Sequence, residues 1–132
     1  YPFPYDRKAV AEAYRSWMGA IATRNEVEGH RVRGAGTVQQ ARELRRAFRD
    51  SISDLDWEYA VWQEWKEGFA RYIENLISDQ LDLPQNAGGL KGEMSRVAFY
   101  AGGALLIEQL SKREPALLEN LPALFRAIAE PG

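Results

Sequence analysis

Apolar residues recur at intervals of three and four along most of this chain, which is the spacing of one buried stripe on an α-helix. No segment between turn signals alternates with a period of two, so the pattern indicates no strand. We predict an all-α fold of about five helices in a bundle-like or orthogonal array. The predicted helices run from Arg7 to Arg24, from Thr37 to about Ile52, from Asp54 or Asp56 to about Gln80, from Ser95 to about Arg113, and from Glu114 or Pro115 to about Ala129.

Proline, glycine and capping residues predict where the helices are interrupted. Two prolines in Tyr1–Tyr5 favour an extended start, after which Asp6 can cap the first helix. Glycines among charged residues predict a loop from Asn25 to Gly36, and Thr37 with Gln40 resembles a capping box. The stretch from Asp82 to Gly92 contains Pro84 and three glycines and predicts a long connection, of the kind that often borders a site.

Length and charge narrow the function classes. The chain has 132 residues and no cysteine, and the absence of cysteine excludes disulfides and thiolate chemistry. Its net charge of −2 gives no overall electrostatic attraction to nucleic acid. No apolar run approaches the roughly 20 residues that span a bilayer. We expect residues 1–132 to form a single helical domain, and the start at Tyr1 suggests a segment of a longer protein.

The third predicted helix combines acidic and aromatic residues. Helical spacing places Glu64, Glu67, Arg71 and Glu74 on one face. One interpretation is a solvated stripe in which Arg71 bridges Glu67 and Glu74. Gly68 costs about 1 kcal/mol in a helix interior relative to alanine, so it predicts the close approach of another backbone.

A second charged face lies on the preceding helix. Its basic side chains form a helical stripe, which we interpret as a solvated or interdomain face: Arg42, Arg45, Arg46 and Arg49.

Two motifs resemble a known family. Trp65-Lys66-Glu67-Gly68-Phe69-Ala70 is similar to the Glu-Gly-Phe-Ala segment, preceded by tryptophan, of gluzincin zinc metallopeptidases, the clan of aminopeptidase N. Tyr100-Ala101-Gly102-Gly103-Ala104 resembles a later helix of that clan. The resemblance extends from Trp57 to Phe125. It implies that Glu67 is the third zinc ligand and that Tyr100 stabilises the oxyanion. It also implies that the zinc ligand is surrounded by Glu64, Arg71 and Glu74.

The histidine motif of the family is missing. Gluzincins take two zinc ligands from an HExxH helix, whereas His30 is the single histidine here, in a predicted solvent-exposed loop. We therefore expect this chain alone to bind no zinc strongly and to be inactive. Under the first hypothesis, a missing N-terminal segment or a separate chain brings the HExxH motif and zinc, and the substrate is a peptide. Under the second, the chain is a non-catalytic helical interaction or scaffold module without metal, in which Glu67 pairs with Arg71.

Overall fold

The computed structural model describes residues 1–30 and 38–130, and within these ranges the fold is all-α, as predicted. Five α-helices and one short 3₁₀ helix make up the described secondary structure, with no strand among them. Their bounds are α1 (Lys8–His30), α2 (Val38–Asp50), α3 (Asp54–Gln80), α4 (Arg96–Arg113), the 3₁₀ helix (Pro115–Glu119) and α5 (Leu121–Ala129).

Helix α1 is longer than the sequence predicts. The prediction of a loop from Asn25 was wrong for residues 25–30, because α1 continues to His30. Residues 26–28 include no proline or glycine, and Gly29 stands only one position before the helix ends, so nothing in the backbone stops the helix earlier. The rest of the predicted loop, and the capping position Thr37, lie outside the described residues.

Short polar side chains begin the later helices. Ser53 accepts a hydrogen bond from the amide of Asp56 at the start of α3, and Ser95 accepts one from the amide of Val97 at the start of α4. Asn120 does the same for Ala123. This last cap explains why the single final helix that we predicted was wrong: the chain forms a 3₁₀ turn, breaks at Asn120 and restarts as α5.

Helices α3 and α4 run in the same direction and make the most extensive contact of the fold. The rings of Tyr59 and Phe99 lie 6.2 Å apart at one end, and the hydroxyl groups of Tyr72 and Ser111 lie 3.3 Å apart at the other. The contacts therefore follow the same N-to-C order along both helices, as they do in a parallel pair. The chain returns between them through the irregular segment 81–95.

The two helices cross where their backbones touch. A Cβ atom added to Gly68 of α3 would lie 2.7 Å from the Cα and carbonyl carbon of Gly103 in α4, a distance that real side chains do not adopt. Both residues must therefore be glycine for the helices to approach this closely. This confirms that Gly68 marks the close approach of another helix.

Candidate functional site

Glu64 lies at the centre of the fold with both carboxylate oxygens bound. The residue is 0% exposed. Arg45 of α2 donates two hydrogen bonds to it, from Nη2 to Oε1 and from Nη1 to Oε2, each 2.8 Å long. The hydroxyl of Tyr14 in α1 donates a third, to Oε2, at 2.9 Å. A planar guanidinium matched to a carboxylate in this way is among the strong forms of side-chain pairing, and here both partners are buried.

Arg45 is enclosed by aromatic rings. Its guanidinium lies 4.3 Å from the ring centre of Trp17 and 4.8 Å from that of Trp57, and it donates a further hydrogen bond to the carbonyl of Ile128 in α5. The interpretation of the arginines of α2 as a solvated or interdomain face was therefore wrong for Arg45, which is 4% exposed. It holds for Arg42 and Arg46, while Arg49 pairs with Asp54.

The charges of this buried network depend on one another. Burial by itself would lower the pKa of Arg45, but the facing Glu64 carboxylate outweighs burial and leaves the pKa raised. Burial, followed by the negative charge of Glu64, holds the pKa of Tyr14 well above its ordinary value of 10.0. Arg45 therefore stays charged and Tyr14 stays a hydrogen-bond donor under all ordinary conditions.

Two adjacent glycines of α4 make room for this network. A Cβ atom at Gly102 would lie 2.8 Å from Cζ of Tyr14, so its absence lets the Tyr14 hydroxyl reach Glu64. A Cβ atom at Gly103 would lie 2.7 Å from the Cα of Glu64. The glycine pair thus places the Glu64 turn of α3 directly against α4.

Glu67 and Tyr100, the predicted metal ligand and catalytic residue, lie beside the same crossing. Glu67 immediately precedes Gly68, and Tyr100 stands one helical turn before Gly103. Both side chains are half-buried, and neither takes part in a hydrogen bond or ion pair within the part of the chain that the structure describes. The pKa of the Tyr5 phenol is raised, first by burial, then by its hydrogen bond with Tyr59, and to a smaller extent by the nearby Tyr100.

The other predicted site residues have different surroundings. Arg71 is buried and donates hydrogen bonds to the carbonyls of Gly88 and Asn86, at 2.6 Å and 3.5 Å, so it fastens the return segment to α3. Oε2 of Glu74 lies 4.0 Å from Nε of Arg71. No ion pair within 4.0 Å joins Arg71 to Glu67 among the described residues, so the predicted bridge forms on one side only.

The return segment borders a cavity, as a long connection between helices often does. This cavity of about 140 Å³ lies between α3, α4 and residues 85–90, with Arg71, Tyr72 and Leu105 on its wall. Neither Glu67 nor Tyr100 lines it. Glu67 and Tyr100 are thus close in sequence to the glycines of the helix crossing but have no share in this cavity.

Residues 1–30 and 38–130 contain no cluster of three or more histidine, cysteine or acidic side chains that could hold a metal ion. Glu67 could thus supply one ligand to a zinc ion, but the described residues do not complete a zinc site. In the same ranges, none of the helices combines the length and the apolar character needed to cross a bilayer. No protein-family model matches the sequence, and neither a curated protein nor a solved structure shows significant similarity to it.

Sequence reasoning missed the Arg45–Glu64 pair, although one signal for Glu64 was present. Trp57 and Val61 are buried, and Glu64 continues their stripe at the next helical position, so a carboxylate falls on the buried face of α3. A buried carboxylate requires a cation. The stripe gave no indication of which of the four arginines on α2 would meet it.

Proposed function

We propose that this chain contributes Glu67 and Tyr100 to a zinc-dependent peptide-hydrolysing site whose other ligands come from residues beyond the printed sequence or from another chain. One observation carries the proposal. Packing accounts for the glycines of both motifs, since Gly68 and Gly103 touch, and it accounts for Trp65, which packs on Phe125 and donates a hydrogen bond to the carbonyl of Leu121. It does not account for Glu67 or Tyr100.

Each of the two side chains suits the role that the resemblance implies. The Glu67 carboxylate, which makes no ion pair with the described residues, can serve as an oxygen ligand. The Tyr100 phenol, which has no hydrogen-bond partner among them, can donate its O–H to an oxygen that gains negative charge. Zinc, when bound, polarises a carbonyl group and activates water. A site of this kind requires the carboxylate and the phenol to be held in a fixed relation, and both residues belong to helices that pack against each other at Gly68 and Gly103.

The test uses the natural gene product that contains this chain, at whatever length it is made. We expect it to contain zinc and to hydrolyse peptides. Glu67→Gln should lose the metal and the activity, because an amide is a far weaker ligand than a carboxylate. Tyr100→Phe should keep the metal and lower kcat by about 10²- to 10³-fold, the usual effect of removing one oxyanion donor.

Two matched variants control for charge and for the loss of a hydroxyl. Glu58→Gln changes an exposed acid on the same helix, and Tyr72→Phe removes a phenol hydroxyl on the opposite side of the crossing. Both should retain zinc and turnover. A folded natural protein without zinc, or a Glu67→Gln protein that keeps its zinc, would refute the proposal.

A non-catalytic interaction module remains the second candidate, and one observation favours it. Large apolar side chains are exposed at the end of α3 and just beyond it, where they would suit a partner surface: Leu76, Ile77, Leu81 and Leu83. Under this candidate the natural protein is metal-free, and Leu81→Ser weakens its association with a partner while Glu67→Gln has no effect.

A further inference from the structure

A second cavity lies on the far side of α4 from the return segment. It has a volume of about 210 Å³ and is enclosed by α1, α2, α4 and the end of α5. Its wall is largely apolar and includes Trp17, Ile21, Leu106 and Leu110. Neither Glu67 nor Tyr100 lines it, so this cavity is independent of the proposed hydrolytic site.

One amide side chain in this wall makes no hydrogen bond to the described residues. Gln109 of α4 is 6% exposed, lines the cavity, and makes no hydrogen bond within the described part of the chain. Its amide nitrogen and oxygen keep some contact with solvent, unlike Oε1 of Gln63, which is buried without a hydrogen-bond partner among the described residues. The Gln109 amide can therefore exchange a hydrogen bond to water for one to a ligand in the cavity.

Two arginines at the rim give the cavity a positive charge. Arg42 of α2 and Arg113 of α4 line it, are exposed, and make no ion pair with the described residues. Among the described residues of the lining, Glu130 is the one acidic residue. Arg45 also reaches the wall, but Glu64 already neutralises it. The rim therefore carries a net excess of one positive charge above an apolar interior.

We propose that this cavity binds a small amphipathic carboxylate, with its apolar body between α1 and α4 and its carboxylate at Arg42 and Arg113. The volume sets the size of the ligand. An engineered apolar cavity of about 150 Å³ holds benzene, so 210 Å³ accommodates a ring or short alkyl chain together with a polar group. The amide N–H of Gln109 then donates to the carboxylate of the ligand. Because arginine presents paired donors that match a carboxylate, the two rim residues favour this group over a neutral one.

The experiment titrates the 132-residue chain with 3-phenylpropionate and follows amide and indole signals by two-dimensional NMR. The matched neutral ligand is 3-phenylpropan-1-ol. We expect saturable shifts at Trp17, Ile21 and Leu110, with a Kd of about 1 mM or tighter for a ligand of this size. The alcohol should bind about tenfold more weakly, because it makes no charge-assisted hydrogen bond.

Variants separate recognition by the rim from general electrostatic attraction. Arg42→Gln and Arg113→Gln should each weaken binding of the carboxylate about fivefold, as expected for partly solvated ion pairs, and leave binding of the alcohol unchanged. Arg46→Gln removes an exposed arginine of α2 that does not line the cavity, and it should have no effect. Gln109→Leu keeps the bulk of the side chain and should weaken both ligands.

Three results would overturn the proposal. The first is equal affinity for the alcohol and the carboxylate, and the second is an equal loss of carboxylate affinity in Arg46→Gln and Arg42→Gln. The third is the absence of saturable shifts at about 10 mM ligand, where even a weak site of this kind would be occupied. Wild-type-like spectra of each variant without ligand establish that its fold is intact.

Discussion

The crossing of α3 and α4 at Gly68 can be tested by one pair of identical substitutions. Gly68→Ala adds a methyl group 2.7 Å from the backbone of Gly103, where no flexible side chain can move aside. Gly19→Ala adds the same group in the interior of α1, where nothing lies within 4 Å. Both changes replace glycine by alanine inside a helix, so they share the same gain in helix propensity.

The shared gain is about 1 kcal/mol of stability. At Gly19 it should appear undiminished, so Gly19→Ala should stabilise the protein by roughly that amount. At Gly68 the helices must separate to admit the methyl group, and overpacking of this kind costs about 1–3 kcal/mol. Gly68→Ala should therefore be less stable than Gly19→Ala by about 1–3 kcal/mol, a difference from which the propensity term cancels.

Urea or guanidinium denaturation followed by far-ultraviolet circular dichroism measures both free energies of unfolding on the same chain. The double variant Gly68→Ala/Gly103→Ala should deviate from additivity, because both added methyl groups force the same two helices apart. If Gly68→Ala raises stability as much as Gly19→Ala does, the backbones do not touch at this crossing and our account of both glycine motifs is wrong.

Two further predictions concern the buried network. Arg45→Met should lower the free energy of unfolding by about 3–5 kcal/mol, because it leaves the Glu64 carboxylate buried without a cation, and Arg45→Met/Glu64→Leu should recover most of that loss in the same denaturation assay. Tyr14 makes stability depend on alkaline pH: its pKa is raised in the folded state, so the unfolded chain releases this proton first. The contribution is complete below about pH 10 and decreases above it, by about 1.4 kcal/mol per pH unit. Tyr14→Phe should remove that part of the slope between pH 10 and 11. An unchanged slope would mean that Tyr14 is not held neutral by burial and by Glu64.

Hydrophobic spacing was sufficient to predict the three central helices. The apolar period beginning at Trp57 and Val61 extends along α3, although its buried part ends at Arg71, and serine caps mark where α3 and α4 begin. The same reasoning failed at the two ends of the chain. A glycine at the end of α1 suggested an earlier stop, and Asn120 was not recognised as a cap within what looked like one continuous helix.

The buried network lay beyond sequence reasoning because pairing is a property of three-dimensional approach. The stripe of α3 put Glu64 among buried positions, but Arg45 is separated from it by 19 residues and resembles its three neighbouring arginines in sequence. The tertiary placement of α2 alone distinguishes them. Glu67 and Tyr100 came from motif resemblance, and their chemical roles stay predictions.

The parallel course of α3 and α4 has a consequence for the rate of folding. In an antiparallel helical hairpin the first contacts close a loop of a few residues, whereas here the contact between Tyr72 and Ser111 joins positions 39 residues apart. Chain entropy must be lost over that whole distance before the largest interface forms, and rates decrease as contacts become less local. We therefore expect this chain to fold more slowly than an up-down bundle of equal length.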